Sequence, residues 1–408
     1  MRPPDLLPPF FDALGVLAMR AAHCFDMPRF FRPSYCFSFF TLGLLFGIGR
    51  LLCFGHLGCF PQNGRVNPLS NRDLGELLAA AARNEKEHRQ RALRRASRAA
   101  LTWPEEAAAL AEEGGSLTEL RSVGPWVARI IEGWLEEPPD VPEPPPERRG
   151  FLTVAEARTA VEAHPEWRAE LRADLQVHTT YSDGKATLEE VADLLEGMGY
   201  SHAAITDHSK GLPIAGGMHE ERLAQQGRHI EEVNASFDGR HSSFRLLRSI
   251  EMNLSPEGEG DMDPEALGRL DLVLGAFHSN LRVTDDQTER YVAAVRNPTV
   301  QVLAHPRCRK FGRRLGLWAD WPAVFGAAAE AGTAVEIDAS PDRQDLDVDL
   351  VRVAAEAGAW LSIGTDAHYP HELGWMDLGL AAAILGGAPR ERILNYLTRE
   401  EVMEWARR

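Results

Sequence analysis

Histidines and carboxylates recur through the last 240 or so residues of this chain, each at the end of a short apolar run. LQVH stops at His178, AAITDH at Asp207 and His208, LLRSIE at Glu251, and DLVLGAFH at His278. VQVLAH, AVEID and LSIGTDAH then end at His305, at Asp338, and at Asp366 and His368. Imidazoles and carboxylates gathered at one point hold divalent cations such as manganese, zinc or iron. Cations about 3.5–4 Å apart clamp a phosphoryl oxygen and acidify a water, which is the chemistry of phosphoester hydrolysis. Two cations that close need a bridging carboxylate, and Glu251 is the candidate.

Only one arrangement of elements brings such distant residues together. The runs follow one another at intervals of roughly 30 residues, the rhythm of βα units that carry working residues at the C-terminal ends of their strands. In a parallel barrel those ends meet on one face. Asp366 and His368 reach the same point only if the chain turns sharply after Gly364 and Thr365. Asp207, beside His208, is placed to orient a ligand imidazole. Arg307, in the basic run after His305, and Arg343, after the sixth run, are candidates to clamp phosphate oxygens.

The ordered motifs LQVHTTYSDG, AITDHS, SIEMN, GAFHS, LAHPRCRKFG, EIDASPDR and GTDAH resemble the PHP (polymerase and histidinol phosphatase) domain, in the version that ends bacterial family X DNA polymerases. The resemblance implies an α/β fold, a distorted seven-stranded (β/α) barrel preceded by a small all-α helix-hairpin-helix domain. It also implies two or three divalent ions (Mn²⁺ or Zn²⁺, with Fe²⁺ also compatible). The ligands carried over are His178, Asp183, His208, Glu251, His278, His305, Asp366 and His368. The family often has a further histidine where this chain has Gln176, so Gln176 is expected to be a weak or water-bridged ligand. The implied activity is removal of nucleotides or phosphate from nucleic-acid 3′ ends, with a small-molecule phosphatase or a non-catalytic DNA-binding scaffold as alternatives. The nucleotidyltransferase palm of those polymerases is missing.

Upstream, four segments are expected. Residues 151–408 form the barrel, and 136–150, with six prolines among acids, an extended linker. Residues 70–135 read as helical: Ser70 and Asp73 make a capping box, and Leu74, Leu77, Leu78 and Ala81 form an apolar face. Gly114 and Gly115 end a helix that begins at Glu105. The turn Ser122–Val123–Gly124–Pro125 resembles a helix-hairpin-helix, with Ser122 where the motif usually has glycine. Backbone N–H groups after Gly124, with Trp126 and the basic-helix residues Arg94 and Arg95, are expected to hold a DNA phosphate backbone. Residues 1–69 differ in composition. Within the first 65 lie 11 of the 17 phenylalanines, four of the five cysteines and only three acids. Sequence translated from a misplaced start, with Val66 as initiator, is the favoured expectation there, ahead of a membrane anchor or a disordered extension. The net charge of −16 excludes a generic nucleic-acid coat while leaving room for a local basic patch. Scarce cysteine fits a reducing, cytoplasmic setting. The expected partners are DNA and a phosphoester substrate, and no motif speaks to oligomeric state.

Overall fold

The structure is a computed structural model that describes residues 68–407. The expectations for residues 1–67 lie outside the described residues.

Seven strands, β1 (Ala173–Val177), β2 (His202–Ile205), β3 (Arg245–Asn253), β4 (Leu272–Ala276), β5 (Val302–Leu303), β6 (Ala334–Asp338) and β7 (Trp360–Gly364), pair in sequence order. All pairs are parallel. The ends of the sheet meet where His178 N–H donates to the Ala367 carbonyl at 2.9 Å. This is the distorted seven-stranded α/β barrel expected. Its strands are buried on both faces, as helix-covered parallel strands must be, and so read as unbroken apolar runs rather than alternating ones.

The helices occupy the positions the sequence pattern requires. Before the barrel come α1 (Asn71–Ala81), α2 (Glu87–Ala99), α3 (Ala107–Glu112), α4 (Pro125–Glu136), α5 (Val154–Glu162) and α6 (Pro165–Ala169). Between strands run α7 (Leu188–Gly197), α8 (Glu220–Gly239), α9 (Pro264–Leu267), α10 (Thr288–Val295), α11 (Trp321–Ala331) and α12 (Val348–Glu356). After β7 follow α13 (Met376–Gly386) and α14 (Arg399–Ala406).

In the helical unit, Ser70 and Asp73 form the reciprocal capping box, and Gly114 takes φ +80° after α3. Leu74, Leu78, Leu93, Trp103 and Ile131 fill its core. The hairpin turn differs from two full helices, because its first arm is a short 3₁₀ turn, Leu117–Glu119. Ser122 adopts φ +66°, a left-handed conformation that glycine takes without strain. That is the physical reason a glycine is usual there.

The proline-rich segment is extended but not free. Arg148 pairs with Glu76 of α1 at 2.8 Å, both side chains largely buried. Arg309 donates to the Gly150 carbonyl at 2.8 Å, and Gly312 N–H donates to the Glu147 carbonyl at 3.0 Å. Arg72 grips the Glu156 carboxylate through both oxygens. The helical unit is thereby fastened to the barrel from both sides of the linker.

Candidate metal centre

Six of the seven strands deliver a histidine or carboxylate to one mouth. His178 follows β1, His208 follows β2, Glu251 lies near the end of β3, His278 follows β4 and His305 follows β5. Asp366 and His368 follow β7. The sharp turn required there exists, with Asp366 at φ +51°. Buried Asp174 of β1 pins it by accepting from Thr365 N–H at 3.1 Å and from its hydroxyl at 2.6 Å. Strained backbone of this kind persists where surrounding contacts over-determine it. Gly184 is required for a different reason: a Cβ there would sit 2.5 Å from the His178 backbone, so only glycine lets the loop bearing Asp183 fold back.

Glu251 is at the centre. Its Oε1 lies 2.7 Å from His305 Nε2 and 3.2 Å from His278 Nε2, and its Oε2 lies 3.0 Å from His208 Nδ1 and 3.4 Å from His178 Nε2. His178 Nε2 is also 3.0 Å from Asp366 Oδ1, while Asp183 Oδ1 is 3.3 Å from His368 Nε2 and 3.6 Å from His208 Nε2. The donor atoms form three overlapping groups: His178, Asp183, His208 and His368; His208, Glu251 and His278; and His178, Glu251 and Asp366. All eight carried-over ligand positions therefore converge, with His305 joining through Glu251.

The donors fit divalent cations. His178 Nε2, His208 Nδ1, His278 Nε2 and Glu251 Oε2 are buried, yet none makes a hydrogen bond. Leaving such atoms unpaired is costly, and a cation between them removes that cost. Mixed imidazole and carboxylate donors suit zinc, manganese and iron alike. The same groups shift one another's protonation. Burial pushes the Glu251 carboxyl up, but the His208 and His305 imidazoles outweigh it and hold the group well below its ordinary range. Burial opposes protonation of His368, yet Asp183 and Asp366 win and raise its pKa to about 10. The mouth of the barrel thus interleaves charges of both signs.

Three expected site residues have other partners. Gln176 is buried. Its amide, oriented as hydrogen bonding requires, donates to Glu336, whose carboxylate also accepts from His305 N–H at 2.8 Å. Through Glu336 it braces the segment that carries His305. Asp207 does not orient an imidazole. It accepts from Thr179 N–H and hydroxyl, Ser182 N–H and hydroxyl, and Gln226 at 2.5–3.0 Å, so it fastens the loop between His178 and Asp183. Arg307 is committed to Asp347 at 2.5 Å and to the Leu315 carbonyl at 3.0 Å. Arg343 lines the cleft at the mouth, with Nη2 3.4 Å from Asp366 Oδ2.

Sequence reasoning overlooked Asn253, whose Oδ1 lies 3.2 Å from His278 Nδ1 and so leaves Nε2 free to face Glu251. It also overlooked Lys185, a cleft residue. The motif SIEMN held the first clue, and the Lys that follows Asp183 and Gly184 held the second. In the helical unit Arg94, Arg95 and Gly124 are exposed and Trp126 is half-buried, with the Arg89 guanidinium 5.3 Å from the Trp126 ring.

Comparison with known proteins accords with this geometry. No family model matches the chain. The DNA polymerase/3′-5′ exonuclease PolX of Bacillus subtilis is 35% identical over 59% of this chain and 41% of its own length. A probable phosphatase of Tolumonas auensis is 35% identical over 38% of this chain and 64% of its own. The chain therefore spans less than two thirds of either relative. A solved histidinol phosphate phosphatase of Lactococcus lactis is 14% identical, with a TM-score of 0.40 over 53% of this chain and 94% of that one. With seven parallel strands nearly closed into a barrel and its ligand-type residues crowded at the strand ends, this chain is similar in sequence to a polymerase-attached 3′-5′ exonuclease and to probable phosphatases.

Proposed function

We propose that the chain is a metal-dependent phosphoesterase that cuts phosphodiester or phosphomonoester bonds at nucleic-acid 3′ ends. One observation carries this reading: three donor groups overlap through His178, His208 and Glu251, an arrangement suited to two or three neighbouring cations. Such ions, when bound, polarise a phosphoryl oxygen and lower the pKa of water. The protein's own groups do the rest. Glu251, ringed by four imidazoles, is the shared carboxylate. Arg343 donates to non-bridging phosphate oxygens from the cleft wall, and Lys185 and Lys310 add positive charge beside it. The hairpin at Gly124 and Trp126, with Arg94 and Arg95, holds the duplex backbone without reading sequence.

Purified protein supplied with Mn²⁺ or Zn²⁺ should shorten a strand labelled at its 5′ end, and a Glu251→Gln variant should not. Undiminished trimming by that variant would overturn the assignment. The similarity to a probable phosphatase favours a second reading, a small-molecule phosphatase of histidinol-phosphatase type. The nuclease reading requires DNA affinity that falls steeply with salt, whereas the phosphatase reading predicts no such binding.

The described residues include no helix long and apolar enough to cross a membrane.

A further inference from the structure

The cleft at the barrel mouth holds about 550 Å³, within the range of about 300–1,000 Å³ usual for small-ligand sites. Its wall is divided by chemistry. Lys185, Lys310 and Arg343 stand there among Asp183, Asp342, Asp366 and Glu372, while Tyr369 and Trp375 give it aromatic surface. Tyr369 is 47% exposed, an uncommon state for so large a ring. The ring nearest to it, His371, is tilted by 48° at 5.7 Å, so no parallel partner covers the Tyr369 face.

Tyr369 is also held in place. It follows His368 directly, and the Glu372 carboxylate accepts from both backbone N–H groups, at 2.8 Å from His368 and 3.0 Å from Tyr369. One turn therefore fixes the backbone of Tyr369 relative to His368. Thr102 of the helical unit lines the same cleft and lies three residues beyond the end of the basic helix α2. A strand running along α2 would arrive here.

Building on the phosphoesterase reading above, we infer that Tyr369 is the stacking platform for the terminal base of a nucleotide substrate. Stacking on an aromatic ring is tolerant of sequence, because every base has a π face. This specifies a substrate with a base next to its reacting phosphate, without selecting which base. A phosphomonoester carrying a small planar ring shares the chemistry but lacks the polynucleotide that α2 would track.

The test measures binding without turnover. Fluorescence anisotropy in EDTA compares two oligonucleotides that differ only in whether the 3′-terminal residue carries a base or is abasic. The full-length protein should bind the base-bearing end about 10-fold more tightly, a typical stacking effect. Tyr369→Ala should bind both with the weaker affinity, and Tyr369→Phe should keep the preference. Equal binding of both ends by the unaltered protein, or a preference that survives Tyr369→Ala, overturns the platform. Displacement of the oligonucleotide by L-histidinol phosphate at lower concentration than by a deoxynucleotide overturns the nucleotide assignment. If base preference is present while Mn²⁺ supports no cleavage, the platform stands and the phosphoesterase reading falls.

Discussion

The barrel and the helical unit invest their interiors in opposite ways. Beneath the helical unit's surface, Leu74, Leu78, Leu93, Trp103 and Ile131 pack against one another. Even the Trp103 ring nitrogen finds a partner, the Arg121 carbonyl at 3.0 Å. Its arginines stand outside, in water. The barrel instead buries charge. Glu251, His178, His305 and Asp366 are each at most 5% exposed, and several of their polar atoms go unpaired. A protein interior tolerates unpaired polar atoms only where something else compensates them. The helical unit buries apolar surface and shows its charge to water; the barrel mouth gathers donor atoms that fit cations.

The largest effect that could break this contrast is Glu251→Gln. It should lower phosphoester hydrolysis by about 1,000-fold or more, because it removes charge shared by two donor groups, and loss of one electrostatic contact often costs about 100–1,000-fold. Elemental analysis should show fewer bound ions per chain. Full metal content with full activity would mean that the ring of imidazoles serves packing alone.

Arg343→Ala should reduce kcat/KM by about 100-fold, as expected for one donor aimed at phosphate charge. The ion count should hold, since the guanidinium approaches Asp366 without belonging to a donor group. Elemental analysis beside steady-state kinetics separates the two effects. Asn253→Ala acts through His278 and should weaken metal affinity by about 10-fold, within the range for groups that orient a ligand; titration against a competing chelator reads this.

The smallest effect belongs to the helical unit. Replacing Arg94 and Arg95 together by Ala should weaken duplex binding only a few-fold. It should also flatten the slope of log affinity against log salt by about 1.8, two phosphate contacts at about 0.9 each. Hydrolysis of a small phosphate ester should not change. A slope that stays put would show that those arginines are merely solvated.

Most of this organisation was legible in the chain because strands end where chemistry begins. His178, His208, His278 and His305 each close an apolar run, and strand period and barrel closure do the rest. What could not be read depended on contacts far along the chain. Asp207 sits beside a ligand histidine in sequence, but its oxygens face Thr179, Ser182 and Gln226. Arg307 looks like a phosphate clamp until Asp347, 40 residues away, claims it. The linker's prolines correctly forecast extension, yet nothing local forecasts that Arg309 and Glu76 tie it down. Tyr369 belongs to no repeating pattern, and only the cleft reveals it.

The pinned linker has a mechanical corollary. With Arg148 on Glu76 and Arg309 on Gly150, the two units cannot drift apart the way beads on a string do. A polymer held on one unit would enter the other at a constant offset, as if measured against a fixed gauge, and trimming would halt at a characteristic remaining length once the held segment ran out.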